Sequence, residues 1–116
     1  MPKQIGAMQM QRIYELYLQK VTRKGHTQAE LDEVLSWLTG LPLSTWAELP
    51  AAETITEFCE RAQWNPAADA ITGVVCGVRV ETITDPLMRR VREMDKVVDE
   101  LAKGKAIAKV TRQAVR

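Results

Sequence analysis

The chain has 116 residues, of which 46% are hydrophobic and 27% are charged, a composition typical of one globular domain spanning residues 1–116. A net charge of +1 excludes a general electrostatic attraction of the whole chain to nucleic acid or to anionic membranes. The sequence contains no run of about 18 apolar residues, and its first residues lack the apolar segment of a signal peptide, so the expected location is the cytoplasm.

Two helices are predicted in the N-terminal third of the chain. The first should run from about Ala7 to Arg23, because apolar residues recur there at helical spacing, and Gly25 can end it in a left-handed conformation. The second begins with a capping box, in which Thr27 caps the helix and Glu30 stands three residues later. Thr39-Gly40 should end it.

The middle of the chain is less regular. Residues 41–50 are predicted to be a connector that Trp46 anchors to the core. A third helix should follow Pro50, and its apolar face would consist of Ile55, Phe58, Cys59 and Ala62.

Residues 71–83 fit two structures. Asn65-Pro66 is typical of a helix start, and the apolar residues up to Val78 fit one face of a helix. Val78, Val80 and Thr82 also alternate with Arg79 and Glu81, as residues do in a strand. We expect a helix to about Val78, followed by an extended segment or a further helical turn.

The longest predicted helix starts at Asp85-Pro86 and reaches about Ala102. Lys103-Gly104-Lys105 should end it, and a short basic helix should follow. The fold class is therefore predicted to be all-α, a compact single-domain bundle of five or six helices, with extended structure over residues 78–84 as the alternative. Along the long helix a heptad-like stripe is formed by Leu87, Val91, Met94, Val98 and Leu101.

Residue types that support catalysis or metal binding are sparse. His26 is the sole histidine, and Cys59 and Cys76 are not spaced as a metal or redox motif. Cys76 lies in an apolar segment, where burial would raise the pKa of its thiol and lower its reactivity. We therefore predict no metal, no cofactor and no catalytic residue, and we favour a non-enzymatic protein over an enzyme.

Two groups of residues are candidate sites. The first, formed by Cys76, Arg79, Glu81 and Asp85, would contact a ligand or a partner. Arg79 and Glu81 interrupt an apolar segment, and they fit a buried ion pair as well as the wall of a small-molecule pocket. The second group would contact phosphates and consists of Lys103, Lys105, Lys109 and Arg112.

The function that these patterns favour is a non-enzymatic helical binding or assembly protein. The alternatives are nucleic-acid binding through the basic C-terminal third and a small-molecule site around Arg79, Glu81 and Asp85. A homo-oligomer is also expected, because the heptad-like stripe and exposed tryptophans would suit a two-fold interface. The sequence does not indicate which protein would be a partner, and no membrane association is expected.

Most of the chain resembles a known bacterial family. The motifs include Trp37-Leu38-Thr39-Gly40, then Ile71-Thr72-Gly73-Val74-Val75-Cys76-Gly77-Val78-Arg79-Val80-Glu81, then Asp85-Pro86-Leu87-Met88, and Asp99-Glu100-Leu101-Ala102-Lys103-Gly104-Lys105-Ala106. They are similar to those of domain-of-unknown-function family 2200. The resemblance implies a small bacterial protein made of this one domain, without an established activity, and it assigns no catalytic residues.

Overall fold

The computed structural model describes residues 6–75 and 77–111 of the chain. Within these residues the structure is mostly helical, and one two-stranded antiparallel sheet is present. Short 3₁₀ helices cover Leu43–Ala47, Pro66–Ala70 and Val80–Thr82. The helices are α1 (Met10–Arg23), α2 (Gln28–Thr39), α3 (Ile55–Arg61), α4 (Pro86–Ala102) and α5 (Ile107–Val110), and the strands are β1 (Val74–Val75) and β2 (Val78–Arg79).

Capping boxes start both α2 and α3. At α2 the Thr27 hydroxyl accepts from the Glu30 backbone N–H at 3.2 Å, and the Glu30 carboxylate accepts from the Thr27 N–H at 2.9 Å, which confirms the predicted start. Thr54 and Glu57 make the same two hydrogen bonds at α3, at 3.2 and 2.9 Å. Helix α3 therefore begins at Ile55.

Helices α1, α2 and α4 pack on one another and enclose most of the core. Along the heptad-like stripe of α4, Val91, Met94, Val98 and Leu101 are buried, and Leu87 is partly buried. Trp46, which was predicted to anchor residues 41–50 to the core, is also buried there. The stripe thus belongs to the interior of the chain, because α1 and α2 cover it, and it does not form the outer surface that the predicted two-fold interface would use.

Polar contacts join α1 to α4. Tyr17 donates a hydrogen bond to Asp95 at 2.5 Å, and Lys20 donates to Asp99 at 3.1 Å. Asp95 and Asp99 are a like-charged pair four residues apart on α4, which is mildly unfavourable in an isolated helix. Each carboxylate here has its own donor on α1, so the pair contributes to the packing of α1 against α4.

The carbonyl groups at the end of α2 are satisfied by a later segment of the chain. Gln63 N–H donates to the Thr39 carbonyl at 2.8 Å, and Asn65 donates from its backbone to Leu38 at 2.9 Å and from its side chain to Trp37 at 3.0 Å. The segment passes so close to Gly40 that a Cβ atom there would collide with the Gln63 carbonyl oxygen.

The prediction of a helix to about Val78 is wrong. Asn65 caps only the 3₁₀ helix Pro66–Ala70, and the chain then forms a hairpin in which Val74 pairs with Arg79 and Val75 with Val78. Gly77 lies in the turn with a φ of +76°, a conformation that other residues adopt only with strain. Within residues 78–84, strand structure covers Val78–Arg79, a 3₁₀ turn follows at Val80–Thr82, and the backbone of Ile83 is extended again.

Four helices of the described ranges contain seven residues or more, and α5 is a single four-residue turn, so the five or six helices of the predicted bundle are not confirmed. Between residues 6 and 111, leaving out residue 76, no helix is long and apolar enough to cross a membrane.

Candidate functional site

A cleft of about 500 Å³ lies at the C-terminal end of α4 and continues to α5. We call it the lysine cleft, because four lysines line it and only two acids do. Its lining residues are Lys96, Asp99, Glu100, Lys103, Gly104, Lys105, Ala106 and Lys109.

The local fold creates this cleft by reversing the chain after α4. Gly104 has a φ of +94°, its N–H donates to the Leu101 carbonyl at 3.0 Å, and the Lys105 N–H donates to the Glu100 carbonyl at 3.1 Å. These two hydrogen bonds form a Schellman motif, as the predicted helix end at Lys103-Gly104-Lys105 requires. Lys105 is thereby turned back toward α4, and α5 then places Lys109 on the same cleft.

Asp99 is held between two lysines. Its carboxylate oxygens lie 3.1 Å from the Lys20 ammonium and 3.0 Å from the Lys103 ammonium. Burial of the carboxylate raises its pKa, but the hydrogen bonds from Lys103 and Lys20 outweigh that effect, so the pKa of Asp99 lies below its ordinary value. Asp99 is therefore ionised at neutral pH, and it neutralises part of the positive charge of the cleft.

Glu100 is more buried than Asp99. Its side chain is 7% exposed, and one carboxylate oxygen lies 3.9 Å from the Lys96 ammonium and 3.6 Å from the Lys105 ammonium. Lys96 also donates to the Val74 carbonyl at 3.3 Å, so this lysine connects the cleft to strand β1. Both N···O distances to Glu100 exceed the 2.7–2.9 Å that is typical of a charge-assisted hydrogen bond.

Three of the four predicted phosphate contacts meet in this cleft. Lys103, Lys105 and Lys109 line it together, whereas Arg112 lies outside the described residues. Lys96 belongs to the basic C-terminal third but was not among the predicted phosphate contacts, because a lysine on a long charged helix is typical of a solvated surface. Its position four residues before Glu100, on the same helix face, was the available signal.

The other predicted site is differently arranged. Arg79 and Glu81 do pair, with 3.1 Å between the guanidinium and the carboxylate, but the expected buried ion pair is wrong because their side chains are 59% and 34% exposed. Glu81 also accepts from the Gly73 N–H at 2.9 Å, and this backbone hydrogen bond is the main reason that the pKa of Glu81 is lowered. The pair thus holds the base of the hairpin, since the Gly73 carbonyl also accepts from the Val80 N–H.

Asp85 acts as the predicted N-cap of α4, since its carboxylate accepts from the Met88 N–H at 2.8 Å. Neither Asp85 nor the Arg79–Glu81 pair lines the lysine cleft. Cys76, the fourth member of this predicted site, lies outside the described residues.

A second polar cleft, of about 260 Å³, was missed by the sequence analysis. Glu93 is its central acid: one carboxylate oxygen accepts from the Trp64 indole N–H at 2.7 Å, and the other accepts from Arg89 at 3.3 Å. The Arg90 guanidinium lies over the Trp64 ring, 5.0 Å from its centroid. Burial raises the pKa of Glu93 in spite of its two donors.

Cys59 and His26 line neither of the two polar clefts. Burial raises the pKa of the Cys59 thiol to about 11, so the reactive thiolate is scarce at neutral pH. The ring of His26 lies 3.3 Å from Glu30 beside the start of α2. In the part of the chain that the structure describes, no three His, Cys, Asp or Glu residues are arranged to hold a metal ion.

Comparisons with known proteins agree with the resemblance seen in the sequence. The family model described as "Uncharacterized protein conserved in bacteria (DUF2200)" matches residues 4–112. The structure is similar to the crystal structure of the uncharacterized protein SP1917, with a TM-score of 0.91 and 39% sequence identity, over 100% of this chain and 97% of that chain. No curated protein matches this chain. The chain therefore belongs to the DUF2200 family of uncharacterized proteins conserved in bacteria.

Proposed function

We propose that this protein is a non-enzymatic binding protein and that the lysine cleft holds a small ligand bearing a phosphate group. One observation carries the proposal: four lysines and two acids line a single concave surface, which leaves a formal charge of +2 within the cleft. A cleft lined by an excess of one charge concentrates the electric field and attracts ions of the opposite sign.

The size of the cleft supports a small ligand. Its volume of about 500 Å³ falls within the range of about 300–1,000 Å³ that is common for small-molecule sites. Lysine ammonium groups bind phosphate as compact point charges, each with three donor hydrogens. Lys105 and Lys109 are exposed, so they can reach a ligand without a rearrangement of the core.

The acids of the cleft favour this ligand over nucleic acid. Asp99 and Glu100 lie among the lysines, and they would repel some phosphates of a long backbone that crosses the cleft. A binding role is favoured over proton-transfer catalysis because the lowered pKa of Asp99 makes it a weak base at neutral pH.

The test is a binding titration with phosphate-bearing probes. We expect inorganic phosphate, pyrophosphate or adenosine diphosphate to bind in isothermal calorimetry, with an affinity that falls as salt is added. Lys105→Gln and Lys109→Gln should each weaken binding about tenfold, since a hydrogen bond to a charged group contributes about 1.5–3 kcal/mol. Lys24→Gln, which removes an exposed lysine outside the cleft, is the matched control and should bind as the unaltered protein does.

Two results would overturn the proposal. The first is the absence of binding for every phosphate probe at low salt. The second is an equal loss of affinity in the Lys24→Gln control, which would indicate a general charge effect. Binding of single-stranded DNA at least as tight as that of adenosine diphosphate would favour the nucleic-acid alternative instead.

We also propose a cytoplasmic location and self-association. The location is supported by the buried free thiol of Cys59, which suits a reducing compartment. Self-association stays a prediction, and it would require a surface other than the buried stripe of α4. Sedimentation of the purified protein would measure its oligomeric state.

A further inference from the structure

We infer that a third cleft, at the start of α4, binds a short organic acid: its apolar lining contacts the hydrocarbon chain, and the Arg90 guanidinium binds the carboxylate. The cleft has a volume of about 240 Å³ and shares no lining residue with the lysine cleft, so this inference does not depend on the proposed function. We call it the Leu87 cleft, and its lining residues are Thr56, Cys59, Glu60, Pro86, Leu87 and Arg90.

Apolar atoms form most of the lining of the Leu87 cleft. Pro86 and Leu87 belong to the first turn of α4, whereas Thr56 and Cys59 belong to α3. The Thr56 hydroxyl already donates a hydrogen bond to the Gly6 carbonyl at 3.0 Å. A hydrocarbon group that covers this lining removes apolar surface from water, which favours binding.

Arg90 is the charged group of the cleft that can select an acid. Its neighbours on α4, Arg89 and Arg92, each form an ion pair with an acid of the same helix, at 3.3 and 2.9 Å. Arg90 forms no ion pair within the part of the chain that the structure describes. Its guanidinium donates instead to the Cys59 carbonyl at 2.9 Å, and it lies 5.0 Å from the centroid of the Trp64 ring.

The positive charge of Arg90 is therefore available to a ligand. The Cys59 thiol, which also contacts this guanidinium, does not neutralise it, because burial raises the pKa of the thiol to about 11. Glu60 lines the cleft too, but it is exposed, so water screens its charge. A guanidinium has five N–H groups, and its contacts with Cys59 leave donors for both oxygens of a carboxylate.

The size of the cleft favours an acid with a short chain. Its volume of about 240 Å³ is below the range of about 300–1,000 Å³ that is common for small-molecule sites. Isovalerate, a short branched acid, is therefore the probe. Isovaleramide is its neutral counterpart of the same shape, and acetate has the charge without the branched chain.

The experiment is a titration of the unaltered protein, followed by the NMR signals of its backbone amides. We expect isovalerate to bind about tenfold more tightly than isovaleramide, which lacks the charge, and than acetate, which lacks the apolar contact. The amide signals of Cys59, Leu87 and Arg90 should shift, whereas those of Gly104 and Lys105 in the lysine cleft should not.

Two variants test the role of the guanidinium. Arg90→Gln should lower the affinity for isovalerate about tenfold and leave the affinity for isovaleramide unchanged. Arg92→Gln removes another guanidinium of α4 that lines none of the three clefts, so it should keep both affinities. If Arg90→Gln fails to fold, the comparison of isovalerate with isovaleramide on the unaltered protein still decides.

Several results would overturn the inference. Equal affinities for isovalerate and isovaleramide would mean that the cleft does not recognise the charge, and an equal loss in Arg92→Gln would indicate a general charge effect. Shifts confined to the lysine cleft would place the acid there instead. Tighter binding of acetyl-glycyl-leucine than of isovalerate would identify the occupant as the end of a protein chain. The absence of isovalerate binding would also overturn it, and the proposed phosphate site would stand.

Discussion

Acids of α4 show how local partners set the properties of a carboxylate. Burial raises the pKa of Glu93, although it accepts hydrogen bonds from Trp64 and Arg89. Asp99 is only partly buried, and two lysine ammonium groups lower its pKa in spite of that burial. The contrast arises first because Glu93 is buried more deeply, with 4% of its side chain exposed against 16% for Asp99, and second because Asp99 has two cationic donors while one donor to Glu93 is a neutral indole.

A pH dependence of stability follows from the raised pKa of Glu93. In the folded protein Glu93 keeps its proton above its ordinary pKa of 4.5, whereas the unfolded chain has already released that proton. Its contribution to the free energy of unfolding should therefore decrease as the pH rises from 4.5 through the raised folded pKa. Urea denaturation of the unaltered protein and of Glu93→Gln at a series of pH values measures this effect. As the pH rises, the free energy of unfolding of the unaltered protein should decrease relative to that of the variant.

The control for this experiment is Glu33→Gln, which removes an exposed carboxylate. A stability difference between the unaltered protein and Glu93→Gln that moved toward the unaltered protein with rising pH would contradict the expectation. It would mean that the hydrogen bonds to ionised Glu93 outweigh the cost of burying its charge.

The sequence predicted some individual residues of the site and not others. Lys103, Lys105 and Lys109 were identifiable because they follow the last acid of the chain, so their charge is locally unbalanced. Glu93 and Glu100 were not, because a glutamate on a helix is normally solvated, and their burial results from packing by segments that are distant in sequence.

Among the elements, those with local signals were predictable. The capping box at Thr27 and the glycine ends at Gly25 and Gly104 depend on residues within one helical turn, and all three occur in the structure. The hairpin at Val74–Arg79 was not predicted, because valines at this spacing fit a helix face as well as a strand. Tertiary contacts resolve that ambiguity, such as the hydrogen bond from Lys96 to the Val74 carbonyl.

Gly40 at the end of α2 gives a prediction about this element. Gly40→Ala combines a left-handed conformation, with a φ of +72°, and a collision of the new Cβ with the Gln63 carbonyl oxygen. We expect the variant to lose clearly more than the ~1 kcal/mol that the conformation alone costs. Chemical denaturation measures the loss.

Gly25 is the matched control for this variant. It ends α1 with a φ of +87°, and a Cβ atom there would meet nothing within 4 Å. Gly25→Ala should therefore show the conformational cost alone. Equal losses in the two variants would mean that the segment at Gln63 moves away from α2 with little cost.

At the scale of the whole molecule, α4 connects the core to both polar clefts. Its apolar side is covered by α1 and α2, while Glu93 and Glu100 each line a cleft on its other sides. The sequence predicted the apolar side from its heptad-like spacing. It did not predict which helices cover that side, because this choice depends on contacts between segments that are distant along the chain.

Met94 tests this arrangement, because its side chain is fully buried in the core. Met94→Ala should lower the free energy of unfolding by about 2–5 kcal/mol, since it removes buried apolar atoms and leaves a cavity. Met94→Leu, which conserves volume, should cost less than about 1.5 kcal/mol. Urea denaturation with an unchanged m-value measures both losses.

Met8 provides the control, because its side chain is 36% exposed. Met8→Ala should change the free energy of unfolding by no more than about 0.5 kcal/mol. A loss below about 1 kcal/mol for Met94→Ala would contradict the placement of the α4 stripe in the core.

Lys96 contacts both the hairpin and the lysine cleft. Its ammonium group lies 3.3 Å from the Val74 carbonyl of the hairpin and 3.9 Å from Glu100 in the cleft. A ligand oxygen that draws this ammonium into the cleft competes with the hairpin for it, so the two interactions are thermodynamically coupled. Such coupling is reciprocal. A partner that pulled the hairpin away from Lys96 would change the affinity of the cleft for its ligand by a certain factor. The ligand would change the affinity of the protein for that partner by the same factor.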